Sequence, residues 1–165
     1  MKYAQIREMD IANGEKIRTS VYFSGCNFNC YNCFNKEYQD FNYGKEWTPT
    51  IQDKFINIIN RDFIDGASIL GGEPMQQDSS QMLKLVKEIK EKTGKTIWMW
   101  TGYKFEDLIH KQDKLEILKY VDILVDGRYV DEERDISLRF RGSKSQRVIN
   151  VKESLKQGKA IKYID

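Results

Sequence analysis

The 165-residue chain is poor in three residue types: it has one histidine, two prolines and three cysteines. Each scarcity excludes something. A closed structural zinc site takes four ligands, so three cysteines would need the distant His110 to complete one. An odd number of cysteines cannot pair off into a disulfide framework, and their clustering points to metal in a reducing compartment. Pro49 and Pro74 are the only prolines, and no low-complexity stretch or internal repeat interrupts the chain. No linker is visible, so residues 1–165 are expected to form one domain, long enough to bury a core. No apolar run approaches the roughly 18 residues that span a bilayer. The opening stretch Met1-Lys2-Tyr3-Ala4-Gln5-Ile6-Arg7-Glu8 lacks the apolar segment of a secretory signal, so a cytoplasmic protein with no membrane partner is expected. Twenty-seven Lys and Arg against 25 Asp and Glu leave a net charge of +2, too small to argue for nucleic acid.

What the chain does have is concentrated. All three cysteines, Cys26, Cys30 and Cys33, fall within Ser24-Gly25-Cys26-Asn27-Phe28-Asn29-Cys30-Tyr31-Asn32-Cys33, spaced C-x3-C-x2-C. Three thiolates can hold an iron–sulfur cubane and leave one iron without a protein ligand. A small molecule can bind at that iron and receive an electron. The competing readings are incidental buried cysteines, or zinc completed by His110. A simple electron carrier usually brings four cysteines per cluster.

Periodicity organises the rest. Thr19–Ser24, Ala67–Leu70, Thr96–Trp100 and Val121–Val125 read as short apolar strands. A helix is expected from Thr48, with Thr48 as N-cap and Pro49 at its first position, and Ile51, Phe55, Ile58 and Ile59 on one face. A second is expected after Asp78 or Ser79, with Gln81 completing a capping box, Met82, Leu85, Val86 and Ile89 as its stripe, and Gly94 at its end. Phe105, Leu108 and Ile109, then Leu115, Ile117 and Leu118, mark two shorter helical pieces. This alternation predicts an α/β fold whose sheet is mostly parallel and built from βα repeats. Residues 1–16 read as mixed and polar with a turn at Asn13-Gly14, and 34–47 as irregular. From about residue 148 the tail reads as an edge hairpin, Arg147–Val151 and Ala160–Ile164.

Each predicted strand is followed by an unusual stretch: the cysteine loop, Gly71-Gly72-Glu73-Pro74, Thr101-Gly102-Tyr103, and Asp126-Gly127-Arg128-Tyr129. Ligands lie at the carboxyl ends of parallel strands, so these four stretches are expected to converge. Gly71 and Gly72 permit close approach of backbone, and Glu73 offers a carboxylate to an ammonium group. The basic run Arg139 to Arg147 is either a solvated face or a dock for an anionic group or partner.

The cysteine loop and the Gly-Gly-Glu segment after the second predicted strand resemble the radical S-adenosylmethionine (SAM) enzymes. With Asp10-Ile11-Ala12-Asn13-Gly14, Trp98-Met99-Trp100-Thr101-Gly102-Tyr103, Val121-Asp122-Ile123-Leu124-Val125-Asp126-Gly127 and Arg141-Gly142-Ser143, the order and approximate spacing over residues 3–147 resemble the anaerobic ribonucleotide reductase activating proteins. This chain has Asn32 before the third cysteine where that family commonly has Gly, and Phe140 where it commonly has Trp. It has Asn13-Gly14-Glu15-Lys16 where the family commonly has Asn-Gly-Pro-Gly.

The resemblance implies an incomplete radical SAM β/α barrel. Cys26, Cys30 and Cys33 are expected to hold a 4Fe–4S cluster, with Asn32, Cys33, Phe34, Gly71, Gly72 and Glu73 beside the cofactors. One electron passed to SAM would yield a 5′-deoxyadenosyl radical that takes hydrogen from a glycine of the large subunit of the reductase. A low-potential donor such as flavodoxin is implied as a further partner. Other small radical SAM enzymes, acting on another glycyl-radical enzyme or a deazapurine precursor, are the alternative.

Overall fold

The computed structural model describes residues 1–165. In chain order the strands are β1 (Lys2–Asp10), β2 (Arg18–Ser24), β3 (Lys45–Glu46), β4 (Gly66–Gly71), β5 (Thr96–Trp100), β6 (Ile123–Asp126), β7 (Arg147–Asn150) and β8 (Lys162–Ile164). The helices are α1 (Pro49–Ile59), α2 (Ser79–Thr93), α3 (Phe105–Leu108), α4 (Gln112–Leu118) and α5 (Val151–Gln157). All strands join one sheet in the order β3-β1-β2-β4-β5-β6-β7-β8.

The sheet is mixed, not mostly parallel as the sequence suggested. Its centre, β2-β4-β5-β6, is parallel. Both flanks, β3-β1-β2 and β6-β7-β8, are antiparallel. The parallel strands follow one another in chain order, each reached through a crossover, so the intervening helices fall on one side. There α1 packs on α2 and α2 on α4.

Local signals set most boundaries. The Thr48 hydroxyl accepts from the Ile51 N–H at 3.2 Å, with Pro49 behind it. Asp78 caps α2 by accepting from the Gln81 N–H at 2.9 Å, and Gly94 closes it in the left-handed conformation, φ 67°. The expected capping box is only half made, because the Gln81 side chain accepts from the N-terminal ammonium instead.

β1 is an element the sequence reading missed. Its register shifts between Tyr3 and Gln5 and again between Arg7 and Asp10, and such irregularities break the period-two signal of a strand. The tail strands β7 and β8 do pair antiparallel, but α5 stands between them, and Gly158 (φ 71°) ends that helix instead of forming a hairpin turn.

The period-two alternation sorts the central strands into two faces. Toward the helices point Val21, Phe23, Ala67, Ile69, Ile97, Met99, Leu124 and Ile149, all in the main core with Phe55, Met82, Leu85 and Ile89. The opposite face carries Arg18, Ser20 and Tyr22 on β2, paired in register with Gly66, Ser68 and Leu70. Trp98 and Trp100 follow on β5, next to Ile123 and Val125. Arg18 is only 2% exposed. It donates to Ser68 Oγ (2.9 Å), Ala67 O (2.9 Å) and Thr96 O (2.8 Å), and its guanidinium lies 5.7 Å from the Trp98 ring. Burial lowers its pKa to about 10, so it keeps its charge and closes the amino-terminal end of this face.

Candidate functional site

At the carboxyl ends of β2, β4, β5 and β6, on the face away from the helices, lies a cavity of about 570 Å³. All four stretches singled out in the sequence contribute to it: Cys26, Cys30 and Cys33; Gly71, Gly72 and Glu73; Thr101 and Gly102; Gly127 and Arg128.

The cysteine loop leaves β2 through Gly25 (φ 114°), where a Cβ would strike the Phe41 ring. It is tied to the following turn, Gly25 N–H to Tyr38 O at 2.7 Å and Cys26 N–H to Gln39 O at 3.0 Å. Asn29 (φ 51°) and Asn32 (φ 54°) take left-handed conformations that wind the loop tightly. Asparagine is among the non-glycine residues that tolerate this region best, which explains how Asn32 stands where glycine is common. The three thiols are unpaired and half-buried, and all face the cavity. Burial pushes the Cys26 thiol up to about 11, and burial followed by the neighbouring Cys33 raises that of Cys30. No three His, Cys, Asp or Glu side chains converge on a point for one metal ion. A cubane does not ask for that, since each thiolate binds a separate iron. Three free thiols lining one cavity are the ligand set of such a cluster with one iron left open. His110 is exposed beyond α3 and does not line the cavity, so it offers no fourth zinc ligand.

Glu73 is 1% exposed and fully braced. Its Oε1 accepts from the Gly102 N–H (2.6 Å), and its Oε2 from the Thr101 hydroxyl (2.7 Å) and the Met75 N–H (2.9 Å). Burial lifts its carboxyl to about 7, against the pull of those three hydrogen bonds. A carboxylate has about four acceptor positions, so one stays open on Oε1. Gly71 and Gly72 are explained first by the fold. A Cβ on Gly71 (φ 148°) would lie 2.1 Å from Phe23 O, and one on Gly72 would lie 2.7 Å from Gly25 O and 2.8 Å from Tyr38 O.

Other expected residues divide. Phe34 lines the cavity and packs against Tyr129, ring centroids 4.8 Å apart. Asn32 does not line it; its amide donates to Asp131 at 3.2 Å on the outer side of the loop. Arg147, expected as part of a basic dock, is used internally. It bridges Asp126 and Glu106 through four hydrogen bonds of 2.6–3.0 Å. Gly142 and Ser143 form a turn held by Gln146 Oε1, which accepts from both of their N–H groups.

Three cavity-lining arginines each sit over an aromatic ring that also lines the cavity: Arg7 on Tyr22 (5.0 Å), Arg128 on Phe28 (4.3 Å) and Arg134 on Phe34 (5.8 Å). Arg128 lay in a stretch the sequence singled out; Arg7 and Arg134 carried no such signal.

Comparison with known proteins places this arrangement in a class. The family model described as a 4Fe-4S single cluster domain matches residues 12–149. Curated relatives narrow the class. The anaerobic ribonucleoside-triphosphate reductase-activating protein of Escherichia coli (strain K12) is 39% identical over 150 residues, covering 88% of this chain and 96% of that protein. The proteins of the same name from Vibrio cholerae and from Enterobacteria phage T4 are 37% identical over 150 residues and 33% over 152. They cover 88% and 90% of this chain, and 96% and 93% of their own lengths. The chain belongs to the family of anaerobic ribonucleoside-triphosphate reductase-activating proteins. No helix is long and apolar enough to cross a membrane.

Proposed function

We propose that this chain, as one cytoplasmic domain, installs a glycyl radical on the large subunit of an anaerobic ribonucleotide reductase, with SAM as cosubstrate. The observation that carries the reading is the meeting of three unpaired thiols and the braced Glu73 in one cavity. When bound, a 4Fe–4S cluster supplies the electron that splits SAM into methionine and a 5′-deoxyadenosyl fragment, which takes a hydrogen atom from a glycine Cα.

The residues of the chain have distinct tasks. Cys26, Cys30 and Cys33 would hold the cluster as thiolates, leaving one iron for a ligand. Glu73, its carboxylate fixed by Gly102, Thr101 and Met75, would accept from the ammonium group of SAM at the open position of Oε1. Gly71 and Gly72 let the end of β4 approach the cysteine loop closely enough to bring the two together. Phe28, packed on Tyr103 at 4.8 Å, and Phe34, packed on Tyr129, would wall the reacting atoms from water. A cavity of this volume suits one cofactor-sized ligand, so the substrate glycine has to arrive from outside, on another protein. We read the open sheet, with helices on one face and the cavity on the other, as an incomplete β/α barrel. A low-potential carrier such as flavodoxin would deliver the electron.

The test is anaerobic reconstitution with iron and sulfide, reduction, and addition of SAM and the cognate large subunit. Methionine and 5′-deoxyadenosine should form, and electron paramagnetic resonance should show a carbon-centred doublet on the large subunit. SAM cleavage without that doublet would overturn the choice of substrate; no SAM cleavage would overturn the whole reading.

A further inference from the structure

The chain's most exposed large apolar side chains gather on the segments that bound the cavity. Ile136 is 89% exposed, Ile11 and Tyr31 78%, Phe34 64% and Met9 61%. Met9 and Ile11 flank the end of β1, beside the cavity-lining Arg7 and Ala12; Tyr31 and Phe34 belong to the cysteine loop; Ile136 tops the 128–142 lobe. A folded chain leaves single apolar residues exposed at random, but a patch rimming a site marks an interaction surface.

The lip also carries free positive charge. Arg7, Arg128, Arg134 and Arg141 line the cavity and make no ion pair with a side chain; elsewhere Arg61 and Arg147 each have a carboxylate within 3.1 Å, and the buried Arg18 is held by Ser68 and backbone carbonyls instead. Two of the lip's acids are engaged, Asp131 accepting from Tyr129 and Asn32 and Asp135 from Ser137, while Glu132 is exposed. A guanidinium resting on an aromatic ring is partly preorganised, and its outward donors match a carboxylate fork. The interleaved residues Met9, Ile11 and Ile136 are not aromatic. They suit apolar side chains of a protein partner.

We infer that this lip is the docking surface for the partner, and that the partner's glycine-bearing segment presents carboxylates beside apolar side chains. The inference rests on the activase reading above. Arg7 and Arg134 would steer and orient the segment, and Ile11 and Ile136 would be buried on docking. The dock therefore lies on the β1 end and the 128–142 lobe, not on Arg147, which is committed to Asp126 and Glu106.

The test measures binding of the reconstituted chain to its cognate large subunit, without oxygen, at low and high ionic strength. Arg134→Glu, Ile11→Asp and Ile136→Asp should each weaken binding about tenfold or more. Lys84→Glu, on the exposed side of α2, should change it by less than about twofold. Binding should weaken as salt is raised, and Arg134→Glu should reduce that dependence. Partner-free SAM cleavage driven by dithionite should be unchanged in the Ile11 variant, whose side chain does not line the cavity, which shows that fold and cluster are intact. Wild-type affinity in all three lip variants, or binding indifferent to salt, would overturn the inference while leaving the activase reading standing. A wild-type chain that cleaves SAM but never binds the large subunit would instead overturn the activase reading itself.

Discussion

On the helix side of the sheet, β2, β4 and β5 present Val21, Phe23, Ala67, Ile69, Ile97 and Met99, and every one is buried in the main core. On the other side the same strands present Arg18, Ser20, Tyr22, Ser68, Leu70, Trp98 and Trp100. Both sides exclude water, but they do so by different chemistry. The helix side is held by apolar burial, worth about 25 cal/mol per Å². The open side combines a small apolar cluster, Trp98, Ile123, Val125 and Val148, with satisfied polar groups: Arg18 on Ser68, Ala67 and Thr96, and Asp10 accepting from Ser20 at 2.6 Å and from the Asn13 amide at 2.8 Å. Burying such groups is costly unless each finds a partner, and a complete network specifies one arrangement. Only Ser24 Oγ and Arg141 Nε lack partners, one at the end of β2 and the other lining the cavity. Stability thus resides mainly on one face and the site on the other, with period-two alternation supplying both from the same strands.

This division can be broken from the site side first. Cys30→Ala should abolish normal cluster loading and all activity, read by iron content and SAM cleavage, while the melting temperature of the metal-free chain stays nearly unchanged. A large loss of stability in the metal-free variant would show that the loop supports the fold. On the helix side, Phe23→Ala should cost about 3–5 kcal/mol in denaturant unfolding, because it opens a cavity in a close-packed core. A cost below about 1 kcal/mol would show that this face is less rigid than described.

Gly72→Ala sits on the border between the faces. Its Cβ would meet Gly25 O and Tyr38 O below 3 Å, so backbone must move. The variant should lose about 1–3 kcal/mol of stability, and any weaker SAM binding should come together with that loss. Loss of SAM affinity at unchanged stability would assign Gly72 to the ligand alone.

Glu73 links the faces through pH. Burial raises its carboxyl from the ordinary 4.5 to about 7, so folding takes up a proton between those values. Its contribution to stability is fully present below the lower value and is lost as pH rises through the upper one. The metal-free chain should therefore lose roughly 2–3 kcal/mol from this group across that window, and Glu73→Gln should flatten the slope in thermal melts. The smallest effect is expected at Lys16, which holds φ 66° where the family commonly has glycine. Lys16→Gly should raise stability by about 0.5–1 kcal/mol, the relief of left-handed strain less the added freedom of the unfolded chain.

Much of the fold was legible in the residues. The four central strands, both long helices and their caps, and the convergence of four strand-end stretches follow from signals within a few residues of each other. β1 was hidden by its bulges, and α5 by the shortness of its apolar pattern. The antiparallel flanks were illegible for another reason: the direction in which a strand joins a sheet is not written in its own side chains.

The sequence by itself determined the cysteine spacing, the capping residues and the two-faced strands, because each depends on neighbours along the chain and on backbone sterics. Only the tertiary structure decided that Glu73 is braced by Thr101 and Gly102 from the next strand, that Arg147 turns inward to Asp126, and that Arg7, Arg128 and Arg134 ring one cavity without carboxylates of their own. Charged side chains carry no periodic signal, and their partners lie tens of residues away. Where a charge is spent depends on strand order and register, which exist only once the sheet has formed.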